Sequence, residues 1–134
     1  MGFTFKKAER LNSKKLIEEL YSRRHPSIMH YPLSLSWMSV NNNQEFPVSV
    51  LLTVSKRNFR KSVERNRIKR LLREAYRLNK QPLHTYLNQK NRAIVLLINF
   101  VAKEAMAYQE IESKLKSAFD RLIIDLEKTS DSAG

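Results

Sequence analysis

The spacing of apolar residues divides the first half of the chain into one helix and two strands. Apolar residues three and four positions apart predict a helix that begins at Ser13 and runs to about residue 21 or 24. From residue 31 to 40 the spacing changes to two, with Leu33, Leu35 and Trp37 on one side, which predicts a half-buried strand. A second β-branched run covers 47–54, and the polar residues between the two runs predict a hairpin.

The second half of the chain alternates between helix and strand again. Residues 62–79 have the length and leucine spacing of a helix, which ends before Pro82. A short helix is predicted over 83–89, and 93–101 is an almost unbroken apolar run, typical of a central strand covered on both faces. An amphipathic helix over 104–128 completes the order helix, strand, strand, helix, strand, helix. This order predicts a two-layer α/β or α+β sandwich.

The length and composition fit one folded domain. The chain has 134 residues, of which 42% are hydrophobic, enough to bury a single core. Residues 1–12 form a short basic lead-in, and 129–134 form a polar tail. We therefore expect one domain over 1–134.

The chain also lacks the residues that several classes of protein need. It has no cysteine, which excludes a disulfide framework and fits a reducing cytosol. No apolar run approaches the roughly 20 residues that span a bilayer, and no signal sequence is visible, so we expect a cytoplasmic protein without a membrane partner. The only glycines, Gly2 and Gly134, cannot form a phosphate-binding loop. His25, His30 and His84 are expected at the surface, so no catalytic residue, protein-bound metal or organic cofactor is predicted.

Positive charge is concentrated in one segment. Residues 56–80 hold eleven Lys or Arg residues and two acids, Glu64 and Glu74, which is +9 of the chain's net charge of +12. Because the remaining residues contribute only +3, the charge belongs to one surface rather than to the whole chain. Such a segment, when it also carries an apolar stripe, predicts a surface that binds a polyanion.

The helix predicted over 62–79 separates this charge from the apolar stripe. Ile68, Leu71, Leu72, Ala75 and Tyr76 share one side of the helix and can pack on the sheet. Like charges on the other side repel by a few tenths of a kcal/mol per pair, so their accumulation indicates a bound anion, with RNA phosphates as the natural partner. A helix N-terminus also attracts phosphate, which adds a group of expected contacts before and within the first turns: Lys56, Arg57, Arg60, Lys61 and Arg65.

A resemblance to a known family is carried by Val63-Glu64-Arg65-Asn66-Arg67-Ile68-Lys69-Arg70-Leu71-Leu72-Arg73-Glu74. Its Arg-Asn-Arg-x-Lys-Arg-x-x-Arg pattern is similar to the RNR motif of the protein subunit of bacterial ribonuclease P. The preceding Val54-Ser55-Lys56 is similar to the end of the strand that leads into that motif, and Glu9-Arg10-Leu11 before the first helix also fits. The resemblance therefore covers nearly the whole chain.

The resemblance implies an RNA-containing endonuclease that removes the 5′ leader of precursor tRNA. In this family the RNA subunit binds the catalytic Mg²⁺ ions and cleaves the phosphodiester bond, while the protein binds that RNA and the leader. The implied fold is α+β, an α/β sandwich with a mixed sheet of about four strands and a left-handed βαβ crossover around the motif helix. No partner besides ribonuclease P RNA and precursor tRNA is evident. The residues that the resemblance assigns to the RNA subunit are Arg65, Asn66, Arg67, Lys69, Arg70 and Arg73.

The family has a second surface, a partly aromatic cleft between the first helix and the sheet that receives the single-stranded leader. Aromatic side chains suit that role because unpaired bases stack on them. The matching positions are Ile17 and Tyr21 on the helix, Ser36 on the first strand and Phe100 near the end of the central strand. The alternative for Tyr21 and Phe100 is a place in the core or at its rim, and Trp37 is expected to face the core.

Two other functions would share the basic helix. A non-catalytic RNA-binding protein, such as a ribosomal component, would need no leader cleft. Binding of DNA through a recognition helix is disfavoured, because no tight helix-turn-helix partner precedes residue 62.

Overall fold

The computed structural model describes residues 17–20, 26–40 and 46–133, which contain four strands and three named helices. The strands are β1 (Ser27–His30), β2 (Leu33–Val40), β3 (Val48–Val54) and β4 (Ala93–Phe100). The helices are α1 (Ser62–Asn79), α2 (Gln81–Gln89) and α3 (Tyr108–Ala133), and residues 17–20 are also helical.

Strand β4 lies in the middle of a mixed sheet with the strand order β1-β2-β4-β3. It pairs antiparallel with β2, where Leu35 lies opposite Ile98, and parallel with β3, where Val50 lies opposite Leu96. Every residue of β4 except Asn99 is buried. The central strand that the apolar run predicts is therefore confirmed, and so are the α+β class and the mixed four-stranded sheet.

The predicted hairpin is wrong. β4 lies between β2 and β3, and the chain passes from β3 to β4 through α1 and α2. A polar loop indicates that the chain turns, but it does not say whether the two runs pair with each other. β2 pairs instead with β1, across a turn at Tyr31 and Pro32. The spacing of residues missed β1 because only Ile28 of its four residues is buried.

The observed helix bounds agree closely with the predicted ones and differ at three helix ends. α1 has the predicted limits. α2 begins at Gln81, because Pro82 is tolerated in a first turn, where its missing N–H needs no partner. α3 begins later than residue 104 and continues to Ala133, so the backbone of 129–133 is helical. The lead-in 1–12 lies outside the described residues, and the handedness of the crossover stays a prediction.

The main core lies between one face of the sheet and the three helices. β2 contributes Leu33, Leu35 and Trp37, and the exposed fraction of Trp37 is 3%, which confirms that it faces inward. Burial of each large apolar side chain of this kind stabilises the fold by about 1.5–3 kcal/mol. The helices contribute a larger set of buried residues, which includes Ile68, Leu72, Leu83, Leu87, Ile111, Leu115, Leu122 and Leu126.

A buried polar pair joins α1 to α2. The Tyr76 hydroxyl lies 3.0 Å from Nε2 of His84, and both side chains are buried. The expectation that His84 lies at the surface is therefore wrong, because this hydrogen bond satisfies a ring nitrogen in the core. Of the other histidines, His30 is half-buried and His25 lies outside the described residues.

Candidate nucleic-acid interface

The basic residues of α1 and of the loop before it form one outward-facing surface. Because Ile68, Leu72, Ala75 and Tyr76 are buried, the opposite side of α1 has to face the solvent. Lys69 on this side is half-buried. We call the group the basic surface; its exposed members are Lys56, Arg57, Arg60, Lys61, Asn66, Arg67, Arg70 and Arg73.

Arg65 differs from its neighbours because its guanidinium group binds the protein itself. Its Nη1 donates to the carbonyl oxygens of Phe59 and Arg60, each at 2.8 Å, and its side chain is half-buried. These bonds hold the loop before α1 against the first turns of the helix. Arg65 is therefore a positioning residue for the basic surface, a role that the spacing of charges does not reveal.

Asn58 fixes the other end of this loop and was missed by the sequence analysis. Its Nδ2 donates to the carbonyl oxygens of Val101 at 3.1 Å and Ala102 at 3.3 Å. Next to it, the ring of Phe59 is buried with its centroid 6.1 Å from that of Phe100. The loop that carries Lys56 to Lys61 is thus attached to the end of β4, which fixes the backbone from which these cations extend.

The basic surface ends near Arg73. Arg77 forms an ion pair with Glu74 and donates a hydrogen bond to its carboxylate. This hydrogen bond holds the pKa of the Glu74 carboxyl below its usual value. Lys80 is buried, and its Nζ lies 6.0 Å from the centroid of the Phe46 ring. The net charge that the sequence assigns to 56–80 is therefore concentrated in the loop and in the first three turns of α1.

A second surface lies on the other face of the sheet. A small cluster of Leu20, Met38, Val95 and Leu97 is buried there, so the helical residues 17–20 pack against this face. Ile17, Val40 and Leu51 pack around the cluster. Ser36 lies opposite Leu97 in the register and is half-buried, so the structure brings two of the predicted cleft residues, Ile17 and Ser36, to one face.

The same face becomes polar towards the end of β4. Asn99 lies between Ser34 of β2 and Thr53 of β3, and all three are half-buried. The Thr53 hydroxyl donates to Oδ1 of Asn99 at 2.9 Å, which fixes the side-chain amide. Sequence analysis missed Asn99, although it is the single polar residue in the run 93–100. We call the group of Ile17, Ser34, Ser36, Thr53, Leu97 and Asn99 the cleft face.

The other two predicted cleft residues do not join this group. Phe100 has no exposed surface and packs in the main core, on the opposite side of β4 from Asn99. It is one position further along the strand, and adjacent residues of a strand point to opposite faces. Tyr21 lies outside the described residues.

The acidic side chains of the described ranges do not form a metal-binding cluster. These ranges contain no group of three or more His, Cys, Asp or Glu side chains that could hold a metal ion. Glu112, which lies two residues after Glu110, accepts hydrogen bonds from Asn79 at 2.8 Å and Tyr108 at 3.2 Å. The hydrogen bond from Asn79 is the main reason that the pKa of Glu112 is lowered.

None of the helices in the described residues is long and apolar enough to span a membrane.

Comparison with known proteins identifies one family. The family model described as Ribonuclease P matches residues 5–123. A ribonuclease P protein component from Porphyromonas gingivalis is 30% identical over 120 residues, covering 90% of this chain and 87% of that protein. One from Chlorobaculum tepidum is 54% identical over 44 residues, which is 33% of this chain and 29% of that protein.

Solved structures agree with this result at the level of the fold. The RNase P protein of Staphylococcus aureus superimposes with a TM-score of 0.64 at 20% identity, covering 87% of this chain and 96% of that chain. The RNase P protein from Thermotoga maritima superimposes with a TM-score of 0.63 at 18% identity, covering 84% of this chain and 96% of that chain.

The two roles of arginine in α1 can be separated by a pair of variants. Arg65→Ala removes two hydrogen bonds to carbonyl oxygens, so we expect it to lower the free energy of unfolding by about 1–2 kcal/mol. Arg67→Ala removes the same charge from an exposed side chain and should change stability by less than about 0.5 kcal/mol. Urea unfolding measures both values, and amide exchange should become faster at 57–61 in Arg65→Ala alone. Equal unfolding midpoints for the two variants would contradict the positioning role.

Proposed function

Because this chain belongs to the ribonuclease P protein family, we propose that it binds the RNA subunit of ribonuclease P through the basic surface and the 5′ leader of precursor tRNA on the cleft face. The family membership implies a role in tRNA processing. The cleavage activity belongs to the holoenzyme, and the RNA subunit supplies the catalytic Mg²⁺ site. The described residues provide no cluster suited to a protein-bound ion, so no step of the reaction is assigned to one.

The observation that carries this proposal is the rigid, one-sided display of the basic surface. Five residues of the basic surface lie on α1, where they extend over more than two turns and are exposed or half-buried. The loop before them is anchored through Asn58 and Arg65. Guanidinium groups form two parallel hydrogen bonds to phosphate oxygens, and a backbone that is already ordered lowers the entropic cost of binding. Each phosphate contact releases condensed counterions, so the affinity should fall steeply with salt.

The cleft face supports a different kind of contact. It combines apolar positions, Ile17 and Leu97, with the polar side chains of Ser34, Ser36 and Asn99, and no Lys or Arg is part of this group. Single-stranded RNA presents base faces as well as hydrogen-bonding edges, so such a mixed surface suits it better than a duplex. The family assignment also favours this interpretation over a ribosomal RNA-binding protein or a DNA-binding protein.

The activity itself is tested with the cognate RNA subunit and a precursor tRNA. At Mg²⁺ concentrations where the RNA alone cleaves slowly, addition of the wild-type chain should accelerate 5′ leader removal, measured as release of labelled leader on a gel. The double variant Arg70→Ala/Arg73→Ala tests whether the basic surface is responsible. Both side chains are exposed on this surface, and their removal should reduce the stimulation. An absence of stimulation by the wild-type chain would overturn the proposed function.

The basic surface predicts a change in salt dependence. Arg70→Ala should weaken binding to the RNA subunit about tenfold and reduce the slope of log K against log salt by about one, the value for one lost phosphate contact. Lys114→Ala removes one charge from an exposed position of α3, outside the basic surface, and should leave the slope unchanged. Titrations at four or more salt concentrations give both slopes. If the two variants lost the same slope, net charge rather than this surface would determine binding.

The cleft face predicts an effect that depends on the leader. Ser36→Asp places a negative charge on this face and should lower the affinity of the holoenzyme for precursor tRNA several-fold, while binding of mature tRNA and of the RNA subunit stays unchanged. Ser39→Asp is the control, since it adds the same charge at an exposed position of the same strand. Fluorescence titration with leader-containing and leaderless substrates measures the difference. Equal losses for both substrates, or for both variants, would remove the cleft face from leader binding.

A further inference from the structure

We propose that a pocket beside the first two turns of α1 receives one unstacked base of the RNA subunit. This inference rests on the proposed function, because it adds a base contact to a surface otherwise described by phosphate contacts. The pocket has a volume of about 180 Å³ and opens between α1 and the segment that follows β4. Its lining residues are Phe59, Val63, Glu64, Arg67, Ile68 and Ala105.

The floor of the pocket is apolar, and packing and hydrogen bonds fix its position. Phe59 and Ile68 belong to the main core and form its floor. Ala105 belongs to the segment after β4. Hydrogen bonds from Asn58 to the carbonyl oxygens of Val101 and Ala102 fix the beginning of this segment. A preformed apolar pocket of this kind binds a rigid, flat group at little entropic cost.

The volume fits one aromatic ring system. A cavity on the order of 150 Å³ is known to hold one benzene molecule, so the pocket can hold the ring of a single base but not a stack of two. Val63 forms one rim, and 75% of its surface is exposed, although it lies in the middle of a strongly charged segment. An exposed β-branched residue at this place gains free energy when a partner covers it.

The charges around the opening determine which flat ligand fits. Arg60 and Lys61 precede the pocket on the loop, and Arg67 lines it, so the occupant should carry negative charge close to an apolar ring. A nucleotide has this combination, with a phosphate on each side of the base. RNA-binding domains commonly hold unstacked bases of single-stranded loops and bulges against aromatic and Arg side chains. We therefore assign the pocket to a base of the RNA subunit.

Glu64 gives the pocket a preference among the bases. It is the only acid between residues 56 and 73, and it is one of the residues that line the pocket. A carboxylate is a pure acceptor, which can pair with an exocyclic amino group of adenine, cytosine or guanine, whereas uracil offers only its ring N3–H. Glu64 also lies in the first turn of α1, where a negative charge stabilises the helix dipole. A negative charge at this place also opposes the binding of phosphates, so a base contact and a purely electrostatic surface predict opposite effects of its removal on RNA binding.

The first experiment fills the pocket. Ala105→Phe changes no charge at an exposed position, and we expect about tenfold weaker binding of the RNA subunit with an unchanged salt slope, since a base contact is lost and no phosphate contact is. Ala105→Ser is the matched control and should bind as the wild type does. Footprinting with dimethyl sulfate for adenine and cytosine, and with kethoxal for guanine, should show one base that the wild-type protein protects and that Ala105→Phe leaves reactive. If Ala105→Phe does not fold, Val63→Ser replaces it, with weaker binding expected.

The second experiment removes the acid. Glu64→Ala raises the net charge of the basic surface by one, so a purely electrostatic surface would bind RNA more tightly after the change. The pocket predicts the reverse, a several-fold loss of affinity together with renewed reactivity of the same base. A gain in affinity would overturn the role of Glu64. Unchanged affinity and footprint in Ala105→Phe would overturn the pocket itself, whereas failure of the wild-type chain to bind the RNA would overturn the proposed function.

Discussion

The pairing of β4 on both of its edges is the constraint on which the rest of the structure depends. β4 is paired on both edges, and because it carries apolar side chains on both faces, both faces must be covered. One face, through Leu96, Ile98 and Phe100, receives the three helices. The other, through Val95, Leu97 and Asn99, receives the helical residues 17–20 and then becomes polar. The core and the cleft face are therefore two sides of one strand.

The same arrangement explains why α1 can carry so many like charges. Each repulsive pair on an isolated helix costs a few tenths of a kcal/mol, and several such pairs would unfold a helix of this length in water. Packing in the main core buries Ile68, Leu72 and Tyr76, and each of these side chains contributes about 1.5–3 kcal/mol. Burial therefore exceeds repulsion, and the helix stays folded with its cations exposed. The main core, and not α1 alone, therefore supports this charge density.

The sequence predicts features that depend on neighbouring residues better than those that depend on distant ones. The limits of α1, the inward position of Trp37 and the central place of β4 follow from local periodicity, and the structure confirms them. The partner of β2 and the burial of His84 depend on contacts far apart in the chain, so no local pattern could give them. The assignment of Phe100 failed by one position, because a shift of one residue in a strand exchanges its two faces.

The motif also shows that identical residues need not have identical roles. Arg65 and Arg67 are two positions apart, yet the first binds the loop carbonyls and the second lines a pocket. A substitution of either would weaken RNA binding in the proposed complex, but for different reasons: loss of order in one case and loss of a direct contact in the other.

The basic surface and the cleft face approach each other where β4 ends. Asn99, near the end of this strand, belongs to the cleft face. Soon after it, the carbonyl oxygens of Val101 and Ala102 hold the loop of the basic surface through Asn58. In the proposed complex, the leader and the RNA subunit would therefore contact parts of the protein that one strand holds at a fixed separation.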